Sequence, residues 1–143
     1  MDGPEVTRTR QVGWQAETYR DLACEFVDLS GVHLGARLER IPPGQTSSYH
    51  HFHTAEEEHV HMLEGTATLH LGEEQIALEA GDHVCFPAGV EVGHHLENTS
   101  DTDVTYLVFG ERLEHDVVVY PAHDVMVVKA LDRRRFSTKA PKG

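Results

Sequence analysis

Hydrophobic and polar residues alternate along the middle of the chain with a period of two. The first such run lies at 32–38, and similar runs follow at 67–71 and 76–80. Side chains on a β-strand point alternately to opposite faces, so this pattern predicts strands that bury one face. The residues 72–75, Gly-Glu-Glu-Gln, lie between the last two runs and predict a hairpin turn.

Glycine and proline interrupt the remaining strand-like segments. Pro87-Ala88-Gly89 must end a strand that contains Val84 and Phe86. Three runs rich in β-branched residues follow, at 104–109, 117–120 and 125–129. Short strands at close spacing with such interruptions predict an all-β sandwich or barrel. Residues 14–28 could hold a short helix, although their pattern is weak.

The chain has 143 residues, the usual size of one domain, so we expect a single compact core. No apolar run approaches the ~18 residues that span a membrane, and the first residues lack the shape of a signal peptide. The two cysteines, Cys24 and Cys85, are far apart in sequence. They exclude a disulfide framework and favour a reducing, cytoplasmic location.

Charge is distributed unevenly along the chain. The formal net charge is −12, but from Lys129 onward six lysines and arginines stand against Asp132 alone, which leaves −17 on residues 1–128. This acidic balance argues against nucleic acid and anionic membranes as partners, because long-range repulsion would oppose both. We interpret the basic segment as a solvated, partly disordered tail.

The twelve histidines are the most informative part of the composition. His51 and His53 share one strand face at a Cα separation of roughly 6.6 Å, so both imidazoles can reach one metal ion. A carboxylate from the next strand would complete a set of two histidines and one acid, a common environment for iron and its neighbours. Glu58, rather than Glu57, shares its face with apolar residues. Alone, the histidine pair is equally well explained by chance in a histidine-rich chain.

A second histidine pair, His94 and His95, lies on a separate predicted strand. His94 shares its face with the apolar Leu96, which marks the inward side, so periodicity favours His94 as the inward residue and His95 as the outward one. This rule is short-range, and a β-bulge would reverse it. His95 therefore remains an alternative to His94.

These two stretches resemble the paired sequence motifs of the cupin superfamily. The matching residues of the first and second motif are, respectively, Gly44, His51, His53, Glu58 and Gly65, and Gly81, Pro87, Gly89, His94 and Asn98. Two spacings depart from the family pattern: one extra residue precedes the first histidine, and four residues rather than two separate Gly89 from His94. Both departures lie in predicted loops and leave the spacing of the candidate ligands intact.

The resemblance implies an all-β double-stranded β-helix, a jelly-roll barrel, with one metal in its mouth. By position, the metal ligands are then His51, His53, Glu58 and His94. They leave about two positions open on an octahedral ion. The cofactor would be one divalent transition metal ion (Fe, Mn, Ni, Co, Cu or Zn), and the ligand set does not choose among these. The resemblance also implies a homodimer.

We place an N-terminal arm at residues 1–29, the cupin barrel at 30–110, and C-terminal strands with the basic tail at 111–143. His50, His59 and His61 are expected on outward faces or at a subunit contact. Arg37 is expected on the solvent side of its strand, so no cluster of arginine or lysine is evident near the motifs.

Cupins include enzymes, sensors and storage proteins, so the fold does not fix the function. The complete ligand set favours a metal-dependent enzyme that acts on a small polar metabolite, of oxygenase (dioxygenase), isomerase or lyase type. Glu58 is the candidate catalytic residue, as a base. The alternative is a non-catalytic cupin that binds or senses a metal or small molecule. The chain is also similar to small cupins of the sugar-phosphate-isomerase-like kind, but without an arginine cluster that substrate has little support.

Overall fold

The computed structural model describes residues 3–139, which consist mainly of β-strands. Numbered in chain order, the strands are β1 (Gln15–Tyr19), β2 (Leu22–Asp28), β3 (Leu34–Ile41), β4 (Phe52–His53), β5 (Glu58–Glu64), β6 (Ala67–Leu71), β7 (Glu74–Leu78), β8 (His83–Phe86), β9 (His94–Glu97), β10 (Val104–Glu111), β11 (Val117–Tyr120), β12 (Val125–Val128) and β13 (Arg134–Ser137). Short 3₁₀ helices lie at Pro121–His123 and Lys129–Leu131. Within the described range, no helix is long and apolar enough to cross a membrane.

The strands form three antiparallel sheets around one core. The largest has six strands in the order β1-β2-β3-β10-β5-β8, and the smaller two have the orders β13-β12-β11-β4 and β7-β6-β9. Bridges from His51 to His94 and from Thr46 to Glu97 connect β4 and the loop before it to β9. The two smaller sheets therefore continue one another as a second layer opposite the first. The all-β prediction is confirmed.

The hydrophobic core lies between these layers and takes side chains from both. Its buried residues are Ile41, Val60, Met62, Ala67, Leu69, Leu78, Phe86, Leu96, Val104 and Tyr106. Along β5, the buried Val60 and Met62 alternate with His59 and His61, which lie on the opposite face. Glu58 therefore begins the strand on the core side.

Residues 14–28 do not contain the short helix that the sequence left open. They form the β1–β2 hairpin, whose turn includes Arg20 in the left-handed region at a φ of 56°. All five residues of β1, an edge strand of the large sheet, are exposed. An edge strand with no buried face carries no apolar alternation, so its sequence gives little sign of it. The segment assigned to an N-terminal arm thus adds two strands to the sheet.

Arg37 lies on the inner side of β3, so its predicted solvent-facing position is wrong. It shares a strand face with Glu39 and with Ile41, which is 0% exposed, whereas the apolar Leu34 is 55% exposed. Arg37 is held by the carboxylate of Glu17 at 2.7 Å. The parity rule fails here because this part of the interior is a polar cavity rather than hydrophobic core.

The basic segment that begins at Lys129 is more ordered than predicted. β13 pairs with β12 along its whole length. The Lys129 ammonium lies 2.6 Å from a carboxylate oxygen of Glu56 and 3.7 Å from one of Asp116. Both carboxylates are buried, so this cation compensates interior negative charge instead of being solvated. The end of the predicted tail, residues 140–143, lies outside the described residues.

Asn98 fastens the loop that follows β9. It is fully buried, and its Nδ2 donates to the carbonyl oxygens of Ile41 at 2.9 Å and Thr102 at 2.8 Å. Its Oδ1 accepts from the backbone N–H and the hydroxyl of Ser100, at 3.0 and 2.7 Å. This side chain therefore ties the end of β3 to the strand that carries His94.

Replacing Asn98 with alanine should lower the free energy of unfolding by about 1–3 kcal/mol, because buried backbone groups lose their partners. Thr99→Ala is the matched control: Thr99 is the exposed neighbour, and its loss should cost less than about 0.5 kcal/mol. Urea denaturation measures both variants. Equal losses would show that the Asn98 hydrogen bonds do not stabilise the fold.

Candidate metal centre

The four predicted ligand residues come from strands of both layers. His51 immediately precedes β4, His53 ends it, Glu58 opens β5 and His94 opens β9. His51 and His94 lie opposite each other, and the backbone N–H of each donates to the carbonyl oxygen of the other, at 3.2 and 2.8 Å. This antiparallel pair brings the two sequence motifs to the same place in the fold.

The side chains of these four residues converge, and those of His51, Glu58 and His94 line the inner end of a cavity. One carboxylate oxygen of Glu58 lies 3.2 Å from Nε2 of His94, and the other lies 3.3 Å from Nε2 of His53. His51, His53 and Glu58 each offer one ligand atom, and these three atoms all lie within 4.8 Å of one another. The rings of His51 and His94 are 4.6 Å apart between centroids. This arrangement can surround a single ion.

Hydrogen bonds on the far side of two imidazoles orient them toward the cluster. His51 donates from Nδ1 to the carbonyl oxygen of Tyr49 at 2.8 Å, and His53 donates from Nδ1 to Asp116 at 2.7 Å. His51 therefore presents the lone pair of its Nε2, and Nε2 of His53 is directed at Glu58. The ring of His94 stacks on Phe86 with 3.6 Å between centroids. Such outer partners fix the tautomer and direction of metal-binding histidines.

Asp116 is a site residue that the sequence analysis missed. It is fully buried, and besides His53 it accepts hydrogen bonds from the backbone N–H groups of Ala55 at 2.9 Å and Glu56 at 3.2 Å. It lies outside both motifs, just before β11. The pairing of β11 with β4 brings it to His53, and sequence order does not reveal that pairing.

Two buried carboxylates beside the cluster, Glu56 and Asp116, already have a cation in Lys129. Glu56, Asp116 and His53 lie close enough together to hold a metal, but the Lys129 ammonium contacts both carboxylates. Glu56 also accepts a hydrogen bond from the backbone N–H of Leu113 at 2.9 Å. The positive charge that these buried carboxylates require is therefore supplied by the protein itself.

The protonation states suit a ligand set. Burial lowers the pKa of His51 to about 4, so its imidazole is neutral at physiological pH. Burial would also lower the pKa of His53, but its hydrogen bonds to Glu58 and Asp116 outweigh that effect and raise it. Burial would raise the pKa of Glu58, yet hydrogen bonds from His53 and His94 bring it far below its usual value. Glu58 is thus a carboxylate at any pH near neutral.

This donor set fits a divalent transition metal ion. Imidazole nitrogens and a carboxylate suit iron and its neighbours, and the ionised Glu58 supplies part of the compensating charge. His53 would give up a proton as the ion binds. His51 is already neutral and has none to lose from Nε2. The donor set alone does not select one metal.

His95 points away from this cluster. Its Nδ1 lies 2.9 Å from Nδ1 of His50, and its ring stacks on His70 with centroids 4.4 Å apart. His94, by contrast, is 5% exposed and contacts Glu58. The structure therefore places His94 with the candidate ligands and pairs His95 with other histidines.

The cluster opens into a cavity of about 560 Å³ between the layers. The buried Tyr106 and the carboxylates of Glu39 and Glu58 line its inner part, and the exposed Arg20 and Arg135 line its mouth. Burial raises the pKa of Glu39 to about 7, with Glu58 adding to this effect and Arg37 opposing it. A pocket of this size, with converging polar groups, is the usual form of a small-molecule site.

The Cupin domain family matches residues 37–110, just over half of the chain. This chain is a cupin. The predicted membership of the cupin superfamily is therefore confirmed, and both sequence motifs lie within the matched segment.

Solved structures extend the similarity to most of this cupin. A sugar phosphate isomerase of the cupin superfamily from Silicibacter pomeroyi DSS-3 is 27% identical, with a TM-score of 0.78 over 87% of this chain and 85% of that one. A protein from Acidithiobacillus ferrooxidans ATCC 23270, provisionally named a sugar phosphate isomerase, is 25% identical, with a TM-score of 0.83 over 94% of this chain and 93% of that one. The predicted jelly-roll barrel is confirmed.

A protein from Thermotoga maritima named a predicted oxalate decarboxylase is similar in fold alone. It is 23% identical, with a TM-score of 0.67 over 76% of this chain and all of that one. No curated protein matches the sequence of this cupin.

Replacing Asp116 with asparagine should weaken the binding of a divalent metal about 10–100-fold. The single amide oxygen would accept from the N–H groups of Ala55 and Glu56, which turns the NH₂ group toward His53 and removes the acceptor that fixes its tautomer. Glu114→Gln makes the same change of charge at an exposed residue two positions earlier and should leave affinity unchanged. Calorimetric titration of metal-stripped protein measures both, and thermal melting checks the fold. Equal affinities in the two variants would contradict an orienting role for Asp116.

Proposed function

We propose that this cupin is a metal-dependent enzyme that isomerises a small phosphorylated sugar or a similar polyhydroxy phosphate. In this proposal His51, His53, Glu58 and His94 hold one divalent transition metal ion. The observation that carries the proposal is that three of these residues, His51, Glu58 and His94, line one cavity with two mouth arginines, Arg20 and Arg135. His53 contacts Glu58 beside that cavity. The names of the Silicibacter and Acidithiobacillus relatives support the same substrate class.

The mouth of the cavity offers cationic groups for a phosphate. The guanidinium carbons of Arg20 and Arg135 each lie 5.6 Å from the ring centre of Tyr19, and Arg135 also donates to the hydroxyl of Tyr19. Within residues 3–139, neither guanidinium is paired with a carboxylate. Arginine binds phosphate through parallel charge-assisted hydrogen bonds. The sequence alone indicated no arginine cluster near the motifs, which argued against a phosphorylated substrate. Arg20 and Arg135 at the mouth remove that objection.

The inner part of the cavity offers groups for the sugar and for proton transfer. A bound divalent ion would supply Lewis-acid polarisation of a substrate carbonyl or hydroxyl oxygen. The Tyr106 hydroxyl is buried and has no hydrogen-bond partner in the described part of the chain, so a sugar hydroxyl can satisfy it. Burial raises the pKa of Tyr106 well above its usual value, so this group keeps its proton and can donate.

Glu39, rather than Glu58, is suited to move the proton. Isomerisation of a sugar phosphate transfers a proton between neighbouring carbons, and a base for this step works best with a pKa near the operating pH. Glu39 has a pKa of about 7, whereas Glu58 is held ionised by two histidines. We therefore assign to a Glu39 oxygen the proton transfer that the sequence analysis gave to Glu58, and keep Glu58 as a ligand.

The metal-loaded protein should convert at least one aldose or ketose phosphate and leave the corresponding free sugar unconverted. Arg20→Ala and Arg135→Ala should each raise KM roughly tenfold or more with a smaller effect on kcat, because each removes a charge-assisted hydrogen bond. Arg134→Ala is the matched control, since Arg134 is the neighbouring exposed residue of β13 and does not line the cavity. Product analysis by NMR measures conversion.

Two outcomes of this assay would contradict the proposed isomerase. Tight binding of sugar phosphates without turnover would identify a non-catalytic binding or sensing cupin. Oxygen uptake with any of the sugar phosphates or free sugars tested would identify an oxygenase. Equal KM values for the Arg134 and Arg135 variants would exclude the phosphate role of the mouth.

Activity should also depend on pH through Glu39. As a base, Glu39 must be ionised, so kcat/KM should fall about tenfold per pH unit below about 7. Glu39→Gln should lose most of the activity and this acid limb, while metal content stays unchanged. Glu17→Gln is the control, because Glu17 contacts the same Arg37 but is exposed at the rim. An unaltered pH profile in Glu39→Gln would refute the assignment.

A further inference from the structure

A second cluster of metal-binding side chains lies on the outer face of the large sheet. β5 and β8 pair there so that His59 is opposite Cys85 and His61 is opposite His83. β8 is the edge strand of this sheet, and Glu57 directly precedes β5. Side chains opposite each other in such a pair have Cβ atoms about 4.5–5.5 Å apart, which is close enough to share an ion.

We propose that Glu57, His59 and Cys85 form a second metal site, which binds a zinc-like divalent ion and is separate from the centre inside the barrel. The carboxylate, imidazole and thiol of these residues each offer one ligand atom, and all three atoms lie within 4.8 Å of one another. Nε2 of His59 is 3.1 Å from a carboxylate oxygen of Glu57. Thiolate, imidazole and carboxylate ligands together suit zinc, and three protein ligands leave a fourth position for water.

A row of imidazoles behind His59 supports this ligand set. Nδ1 of His59 lies 2.9 Å from Nε2 of His83, and Nδ1 of His83 lies 3.1 Å from Nδ1 of His61. Without an ion, Nε2 of His59 donates to the Glu57 carboxylate, and an ion bound between His59, Glu57 and Cys85 takes the place of that hydrogen. With the ion bound, His59 donates from Nδ1 to His83, and His83 donates in turn to His61, so all three rings are neutral. A neighbouring hydrogen-bond acceptor of this kind orients a metal-binding histidine.

Two further features position these groups. The ring of His59 stacks on Phe109, with centroids 5.0 Å apart and planes 4° from parallel, so the imidazole has a fixed plane. Cys85 is an exposed free thiol. Partial desolvation and the Glu57 carboxylate raise the pKa of this thiol, so it keeps its proton until a cation displaces it.

The two sites lie on opposite faces of β5. Glu58 points to the cavity inside the barrel, whereas the residues on either side of it, Glu57 and His59, point outward. The outer site therefore does not depend on the inner ligands or on the function proposed for them. The protein as a whole carries a net charge of −12, which attracts cations to such a surface.

Cobalt titration of the full chain, metal-stripped and without a polyhistidine tag, tests this site. A thiolate ligand gives Co²⁺ a charge-transfer absorption that histidine and carboxylate ligands do not. We expect this absorption in the unmodified protein and its loss in Cys85→Ser, with cobalt content falling from two ions to one per chain. Cys24→Ser is the matched control and should retain the absorption, because Cys24 lies in the inner cavity.

Further variants separate this site from the inner centre. His83→Gln should weaken the affinity for the outer ion about 10–100-fold, because it removes the partner that orients His59. The double variant His51→Gln/His53→Gln should lose the inner ion and keep the thiolate absorption. Absence of the absorption from the unmodified protein, its survival in Cys85→Ser, or its loss in Cys24→Ser would each overturn the proposal. Thermal melting confirms that each variant is folded.

Discussion

The buried carboxylate of Asp116 is the constraint on which the candidate metal centre depends. A buried charge must be matched by hydrogen bonds and opposite charge, and Asp116 obtains these from His53, the backbone of residues 55–56 and Lys129. These partners belong to the first motif and to the basic C-terminal segment. A single side chain therefore holds the metal-binding strand, the acidic loop after it and the basic C-terminal segment in one arrangement.

The sequence predicted the strands and the shared strand faces of the motif residues because both depend on local spacing. Alternation at 67–71 and 76–80 predicts strands, since the side chains of one strand share faces in a fixed order. The same order places His51 beside His53 and turns Glu58 inward. Pairing between distant segments was available only through the resemblance to cupins, which supplied the partnership of His94 with His51.

The features that the sequence missed depend on the surroundings of a residue rather than on its neighbours in the chain. Arg37 and Glu39 look like the outward face of a strand, because the parity rule equates the interior with apolar side chains. A cavity that binds a polar ligand reverses that rule. β1 gave no signal because none of its residues is buried, so no apolar face marks it.

The alternation along β5 has a consequence for how the chain can vary. Only the thickness of one strand separates the barrel interior from the outer histidines, and each residue of the strand belongs to one side or the other. Insertion or deletion of a single residue within β5 would exchange these sides, turning Glu58 to solvent and His59 into the barrel. We therefore expect homologous sequences to show no gaps within β5.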